Sequence, residues 1–149
     1  VFKNKYLAVL SGILEKDSGP ISAPIARKNN SIIEREIRED GDLAISHFKV
    51  LERFNNMTLV EYTLETGRTH QLRVHSKYIG HPIVGDSLYG SENFLISRQA
   101  LHAYEVSFVH PINKEKMLIH SNLPDDIKKL VNANKTWLFA LIIILEINV

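Results

Sequence analysis

The feature that most constrains the fold is a pair of strand-like stretches joined by only two residues. Ala44–Phe54 and Met57–Leu64 are rich in apolar and β-branched residues that tend to alternate with polar ones, which predicts two strands. The link between them is Asn55-Asn56, and asparagine tolerates the positive φ that a two-residue hairpin turn requires. The sequence therefore predicts an antiparallel hairpin whose register is fixed by its turn.

Four other stretches are predicted as strands because they combine apolar and β-branched residues between turn residues. They are Tyr6–Leu14, a weaker candidate at Ile32–Arg38, Leu101–Val109 and Lys116–His120. The last two are separated by a short polar link, so we expect them to pair. A chain with this many strands and such short links predicts a largely antiparallel sheet.

Two helices and two loops complete the prediction. Helical spacing, with an apolar or small residue at every third or fourth position, is kept by Leu72, Ser76 and Ile79. It predicts a short helix from Thr69 to Ile79, capped by Thr69 or Thr66, with Gly80 as its stop. A terminal helix is predicted to open at residues 123–126, where acids occupy the first turn, and to stop at residues 132–134. Loops are predicted at residues 17–23 and 82–90.

The composition fits one globular domain and excludes several classes of protein. A chain of 149 residues can form about one core, and 18 basic against 17 acidic residues leave a formal net charge of +1, so no overall field attracts nucleic acid or membranes. The absence of cysteine excludes disulfide frameworks, thiolate zinc sites and cysteine nucleophiles. It also fits a reducing compartment, so we expect the cytoplasm.

The end of the chain differs from the rest. Residues 1–134 are predicted to form the domain, and residues 135–149 an apolar tail whose packing the sequence leaves open. The longest apolar run, Trp137–Leu145, has nine residues, whereas a bilayer-spanning helix needs about 20, so no membrane span is expected. The tail either packs against the core as a last strand or helix, or is an appended end prone to aggregation.

A basic patch lies between Glu65 and Asp86, where twenty residues contain no acid. The patch contains Arg68, His70, Arg73, His75, Lys77 and His81. On the predicted helix, His70, Arg73 and Lys77 share one face, away from the apolar stripe. Such a patch can bind phosphate oxygens, and arginine can also contact bases, but a solvated helix face has the same composition. The pattern leaves both interpretations open.

Other candidate residues also have two interpretations. Asp86, within Gly85-Asp86-Ser87, is either a general base or nucleophile, or an aspartate that caps a turn. Tyr6 is either a half-buried strand aromatic or a platform on which a nucleobase stacks. A metal site is not expected, because His70 and His75 diverge by roughly 140° around a helix and no carboxylate is close in sequence. Phosphate-loop, dinucleotide, hydrolase-elbow and zincin motifs are absent.

Several long motifs, in the right order, resemble those of the RluA/RluD type of RNA pseudouridine synthases. The resemblance extends from Lys5 to about Ile127. KNKYLAVLSG is similar to the family's lysine-x-tyrosine strand, GPISAPIAR to a loop motif, and AISHFKVLER to its AxTxYxVLER strand. The most diagnostic stretches are TGRTHQLRVH and GHPIVGDSLYG, and RQALHAYEVSFVHP resembles the closing strand motif.

The resemblance implies a fold, a reaction and a site. The fold would be α+β, with a mixed, largely antiparallel sheet flanked by helices. The reaction would isomerise uridine to pseudouridine in RNA, with large-subunit ribosomal RNA as the expected partner and with no cofactor, metal or membrane. Tyr6 would pack on the base, and Arg73 would pair with the catalytic aspartate. The residues expected to line or support the RNA-facing edge are Arg68, Thr69, His70, Gln71, His75 and Lys77.

One departure from the family pattern changes the expected activity. The family's nucleophilic aspartate lies in an HRLDxxTSG motif upstream of the lysine-x-tyrosine strand, and no aspartate of this chain has that context. We therefore expect the C-terminal part of a catalytic domain, inactive alone and partnered by the missing N-terminal half. One alternative is a non-catalytic RNA-binding module, and a weaker one is a metal-dependent phosphate-handling enzyme that uses Asp86.

Overall fold

The computed structural model describes residues 3–135, which form a six-stranded sheet, a two-stranded arm and two helices. The strands are β1 (Lys3–Ser11), β2 (Ser18–Ser22), β3 (Ile25–Arg27), β4 (Arg35–Ile37), β5 (Ile45–Phe54), β6 (Met57–Leu64), β7 (Leu101–Val109) and β8 (Lys116–His120). The main sheet has the order β2-β5-β6-β1-β7-β8 with every neighbouring pair antiparallel, and β3 pairs with β4 as the separate arm. The predicted α+β class is confirmed.

The predicted β5–β6 hairpin is confirmed together with its turn. Asn55 and Asn56 have φ values of 28° and 58°, the positive angles that the two-residue link requires. Phe54 lies opposite Met57, and the register continues to Ser46 opposite Leu64 with one irregularity between Val50 and Glu52. This hairpin forms the middle of the sheet together with β1.

The prediction of a loop at residues 17–23 is wrong, because Ser18–Ser22 is strand β2 paired with β5. Gly19 and Pro20 suggested a loop, but β2 is an outer strand, where a proline without an N–H can be accommodated. The strand predicted at Tyr6–Leu14 begins and ends three residues earlier, as Lys3–Ser11. The candidate at Ile32–Arg38 contains β4, whose partner β3 was not predicted.

Helix α1 comprises Gln71–Tyr78 and therefore starts two residues later than predicted. Its N-cap is His70 in the left-handed conformation, with φ 57°, and no side chain caps it, so the predicted threonine cap is wrong. Of the predicted stripe, Leu72 and Ser76 are buried in α1, whereas Ile79 follows the helix and is half-buried. The buried members of α1 are Gln71, Leu72, Val74, His75 and Ser76.

The second helix, α2, covers residues 125–135 and runs through the predicted stop at residues 132–134. Asn134 is buried inside it, where its side chain donates to the Leu130 carbonyl and accepts from Asn55. A polar triplet that looked like a helix end therefore ties α2 to the β5–β6 turn. The predicted apolar tail, apart from Lys135, lies outside the described residues.

Two apolar clusters hold these elements together. The larger joins the middle strands to both helices and includes Leu10, Val60, Tyr62, Leu72 and Leu130. The smaller lies beneath the β3–β4 arm and is formed by Ile25, Ala44, Val74 and Tyr89. Because Val74 belongs to α1, the smaller cluster fixes the arm against that helix. Within residues 3–135, no helix is long and apolar enough to cross a membrane.

Two glycines with the same backbone conformation provide a test of this packing. Gly85 and Gly80 have φ values of +82° and +83°, but a Cβ at Gly85 would lie 2.2 Å from the Arg98 carbonyl oxygen, whereas a Cβ at Gly80 would meet nothing within 4 Å. We expect Gly80→Ala to cost about 1 kcal/mol of unfolding free energy through backbone strain alone. Gly85→Ala should cost about 2 kcal/mol more because the backbone must move. Urea unfolding of both variants measures the difference, and equal costs would contradict the packing described around Gly85.

Candidate active site

The basic patch is organised around an ion pair between Arg73 and Asp86. Arg73 donates from Nε to Asp86 Oδ2 at 2.9 Å and from Nη2 to Oδ1 at 2.8 Å, a bidentate arrangement. Asp86 is fully buried and Arg73 retains 15% exposure. Asp86 Oδ1 also accepts the backbone N–H groups of Leu88 and Tyr89, each at 3.1 Å. The carboxylate thus fixes both the arginine and the turn that follows it.

The surroundings keep Asp86 ionised. Burial by itself would raise the pKa of this carboxyl, but the hydrogen bonds from Arg73 and from the backbone of Tyr89 and Leu88 outweigh it, and the pKa lies below its ordinary value. In the same way, the Asp86 carboxylate raises the pKa of Arg73. The pair is therefore doubly charged throughout the neutral range.

Tyr89 connects this pair to the β3–β4 arm. Its ring lies beneath the guanidinium, with the Arg73 Cζ 5.0 Å from the ring centroid. Its hydroxyl accepts the backbone N–H of Arg35, the first residue of β4, at 2.9 Å. The same hydroxyl is 2.7 Å from His70 Nδ1, and having accepted from Arg35 it can donate to that nitrogen. Burial and the charge of Arg73 lower the pKa of His70, in keeping with a neutral ring that accepts.

Two of the predicted RNA-binding residues lie inside the protein and cannot contact RNA directly. His75 is fully buried, with Nε2 2.9 Å from the Ala23 carbonyl oxygen and Nδ1 2.8 Å from Ser46 Oγ. Gln71 is also buried and donates to Ser46 Oγ at 2.9 Å and to the Ile45 carbonyl oxygen. Of the two expected roles, lining the edge or supporting it, their burial fits support, because they attach α1 to β5.

The other predicted residues of the patch lie at the surface. Arg68, Thr69 and Lys77 are exposed, and His70 is half-buried. Arg68 is oriented by a hydrogen bond from Nε to the Leu43 carbonyl oxygen at 2.9 Å. The structure therefore leaves a strip of donors around Arg73, at the start of α1 and along its outer side.

Tyr6 lies on the sheet face that α1 covers. It is directly opposite Tyr62 in the β1–β6 ladder, and opposed residues of antiparallel strands point to the same face. The Tyr62 hydroxyl lies 2.8 Å from Ser76 Oγ of α1, which locates the helix on that face. Tyr6 is half-buried and packs against the larger cluster. The two predicted catalytic residues, Tyr6 and Arg73, are thus brought to one side of the sheet.

The interpretation of Asp86 as a turn cap is confirmed, and its use as a nucleophile or metal ligand is not compatible with its environment. Both carboxylate oxygens are occupied by four donors, and the side chain has no access to solvent. Within residues 3–135, no group of three histidine or acidic side chains is arranged to hold a metal ion. The chemistry of the cluster is therefore that of a positioned guanidinium.

Comparisons with known proteins show the family of this chain. The family described as RNA pseudouridylate synthase matches residues 1–78. An uncharacterized RNA pseudouridine synthase of Bacillus subtilis (strain 168), YjbO, is 48% identical over 131 residues, which cover 88% of this chain. This chain belongs to the RNA pseudouridylate synthase family. The resemblance inferred from the motifs is thereby confirmed.

Other pseudouridine synthases show how much of such a protein this chain represents. The ribosomal large subunit pseudouridine synthase D of Haemophilus ducreyi is 41% identical over 146 residues, covering 89% of this chain and 45% of that protein. The Bacillus subtilis synthase is covered to 46%. The chain thus spans about half the length of the curated relatives it matches.

Solved synthase structures share the fold. Human RNA Pseudouridylate Synthase Domain Containing 1 superposes with a TM-score of 0.71 at 26% identity, covering 90% of this chain and 66% of that one. Human RNA Pseudouridylate Synthase Domain Containing 4 gives a TM-score of 0.70 at 20% identity and 90% coverage of this chain, a likeness of fold alone.

The sequence did not reveal two members of this synthase cluster. The sequence predicts neither the pairing of Asp86 with Arg73 nor a role for Tyr89. The sequence contains a signal for both. An aspartate that caps a turn accepts the backbone N–H groups two and three residues later, and for Asp86 the third is that of Tyr89. Asp86 is also the first acidic residue after Arg73 in the sequence.

Asp86→Asn tests the ion pair and its pH dependence. We expect a loss of about 3 kcal/mol of unfolding free energy at pH 7, because the amide leaves a partly buried guanidinium without its counter-charge. Because the folded-state pKa of Asp86 is lowered, its contribution is complete above about pH 4 and disappears as the pH falls through the folded-state value. Urea unfolding at several pH values should show the two proteins converging below that range.

Asp126→Asn is the matched control for Asp86→Asn. Asp126 also binds an arginine through both oxygens, Arg98 at 2.8 and 3.0 Å, but both side chains are more than a third exposed. Its loss should cost about 1 kcal/mol or less because water screens the pair. Equal losses at the two positions would contradict the burial assigned to Asp86.

His75 provides a second pH test. Burial lowers the pKa of His75, although the Ala23 carbonyl opposes the shift, so the folded protein binds its proton at a lower pH than the unfolded chain. The neutral ring therefore stabilises fully above about pH 6.5, and that contribution is lost as the pH falls from there through the folded-state value. His75→Gln should reduce the slope of unfolding free energy against pH in this window, and His70, whose pKa burial also lowers, should contribute to the slope that remains. An unchanged slope would contradict the assignment.

Proposed function

We propose that the protein containing this chain isomerises uridine to pseudouridine in RNA, and that the chain supplies the arginine and tyrosine of the site. The observation that carries the proposal is the unfinished set of hydrogen bonds around Arg73. Two of its donors are fixed by Asp86, but within residues 3–135 its Nη1 protons and the second Nη2 proton have no acceptor. A second carboxylate can bind there without disturbing the first.

The free edge of Arg73 fits the family's nucleophilic aspartate, which the HRLD motif carries and these 149 residues lack. Asp86 would hold the guanidinium in place, and Arg73 would keep the second carboxylate ionised and oriented. A preformed arginine lowers the entropy lost when the aspartate is positioned against a ribose carbon. We infer that the aspartate comes from a polypeptide segment outside this chain, and that the chain alone is inactive.

The reaction conserves the atoms of the nucleotide. The N1–C1′ bond breaks, the base turns, C5 bonds to C1′, the C5 proton leaves to solvent and N1 gains a proton. The uracil edge is inaccessible inside a helix, so the nucleotide must leave the stack, at a cost of a few kcal/mol. Tyr6, on the same side of the sheet as Arg73, would pack on the extruded base.

The exposed donors around Arg73 would bind the RNA backbone. Arg68, Thr69, His70 and Lys77 lie at the start of α1 and on its outer side, and no carboxylate occurs between them in sequence. Phosphate contacts of this kind position RNA without reading its sequence. Large-subunit ribosomal RNA is the substrate class we propose, because relatives at about 40% identity carry that substrate in their names. The absence of cysteine fits action in the cytoplasm.

A second candidate function is favoured by the missing HRLD motif. A protein that has the basic patch but lacks the nucleophile would bind RNA and modify nothing. The two candidates differ in what Arg73 does. In an enzyme the guanidinium is needed for turnover, whereas in a binding module it contributes affinity only.

A tritium-release assay distinguishes the two candidates. Unmodified large-subunit ribosomal RNA labelled at C5 of uridine is incubated with the chain alone and with the chain joined to the N-terminal half of the Bacillus subtilis relative. We expect release only from the joined protein, since only that protein has the aspartate. Release by the chain alone would mean that its nucleophile is misassigned, and binding without release by either protein would favour the binding module.

Arg73→Ala in the joined protein tests the role of the guanidinium. It should abolish release while weakening RNA binding by only about 1 to 3 kcal/mol, the range for a charged hydrogen bond. Arg98→Ala is the control, because it removes an arginine with the same bidentate geometry outside the cluster. Retained release in the Arg73 variant would remove this residue from the site.

A further inference from the structure

Tyr89 is bound to two parts of the molecule that no direct hydrogen bond joins among residues 3–135. The first is the Arg73 guanidinium above its ring, and the second is the β3–β4 arm at its hydroxyl. We propose that Tyr89 is a positioning residue that couples the arm to Arg73, so that RNA bound against the arm is held in register with the guanidinium. This inference rests on the proposed function, since the ligand of the arm is the RNA.

The contact with Arg73 depends on the ring. The guanidinium lies 5.0 Å from the ring centroid, and Asp86 accepts the Tyr89 N–H at 3.1 Å while it binds Arg73 through both oxygens. Tyr89 is buried, so its ring has little freedom to turn. Asp86 and Tyr89 therefore hold Arg73 from the side and from below, which leaves its free edge facing outward.

The contact with the arm depends on the hydroxyl. Tyr89 Oη accepts the N–H of Arg35 at 2.9 Å, where β4 begins. The arm has only three residues in each strand, and its hairpin carries exposed apolar residues at Ile32 and Ile33. Such a short pair of strands is marginally stable by itself, so its position depends on what holds its base. The hydroxyl and the small apolar cluster provide that support.

His70 completes the arrangement at the start of α1. Its Nδ1 lies 2.7 Å from the Tyr89 hydroxyl and its ring contacts the Tyr89 ring edge to face, with centroids 5.5 Å apart. The charged groups that act on this ring are Arg73 and Arg35, which disfavour its protonation, and Asp86, which favours it. A neutral His70 accepts from the hydroxyl, and the hydroxyl accepts from Arg35, so the three groups form one chain of hydrogen bonds.

The arm is also a surface on which RNA can rest. Arg27 and Arg35 belong to its two strands, and Lys28 and Arg38 follow them. Glu34 pairs with Lys28, and Glu36 and Asp40 pair with Arg38. Lys77 and Tyr78 of α1 face the cleft between the arm and the helix, which Glu34 and Glu36 also line. A cavity of about 260 Å³ separates the two. RNA that enters this cleft touches the arm on one side and the helix of Arg73 on the other. The alignment of these two walls is what Tyr89 would control.

Two substitutions at Tyr89 separate the ring from the hydroxyl. Tyr89→Phe keeps the ring beneath Arg73 and removes the bond to Arg35, so in the joined protein we expect KM for RNA to rise about three- to tenfold with kcat nearly unchanged. Tyr89→Leu also removes the ring, so kcat should fall as well. Tyr104→Phe is the control, because it removes a tyrosine hydroxyl that donates to Glu61, and neither residue lines the cleft. It should change neither constant.

Hydrogen exchange at the Arg35 amide gives an independent measurement on the full 149-residue chain. We expect faster exchange in Tyr89→Phe than in the unsubstituted chain or Tyr104→Phe, because the acceptor of that amide is gone. Unchanged exchange, or a Tyr89→Phe enzyme with unchanged KM, would overturn the coupling. If the unsubstituted joined protein releases no tritium, the proposed function fails, and the exchange result still decides whether Tyr89 holds the arm.

Discussion

The structure of this site depends on one buried carboxylate that would be unstable without its arginine. Removing Asp86 from water is costly, and only the two hydrogen bonds from Arg73 and two from the backbone make the ionised form acceptable there. The same bonds leave the arginine with one orientation. The requirement to satisfy a buried charge thus determines where the guanidinium points, and the free edge that remains is a consequence of that packing.

The interior polar groups extend this principle to the whole helix. His75 and Gln71 connect α1 to β5 through Ser46, and Tyr62 connects it to β6 through Ser76. An unpaired polar group in such a position is expensive, so each pair defines one position of the helix on the sheet. The location of Arg73 is therefore set by side chains buried inside the protein.

Local patterns predicted the elements whose cause is local. The β5–β6 hairpin followed from two asparagines with positive φ, and the buried stripe of α1 followed from its period. The elements that were predicted wrongly depend on contacts with distant parts of the chain. Strand β2 contains Pro20 and is a strand only because β5 supplies its partner, and α2 continues through Asn134 only because Asn55 and the Leu130 carbonyl satisfy that side chain. Likewise, the family motif implies Arg73 as a site residue, but the fold is what brings Asp86 into contact with it.

The backbone at the start of α1 has a thermodynamic consequence of its own. His70 adopts φ 57° without being glycine, a conformation that costs an ordinary side chain about 1 kcal/mol or more. Since its ring is bonded to Tyr89, the favourable contact and the unfavourable torsion belong to the same residue. The start of helix α1 therefore carries backbone strain. A substitution that relieved this backbone strain would raise the thermal stability of the protein, but it would also remove the hydrogen bond between His70 and Tyr89.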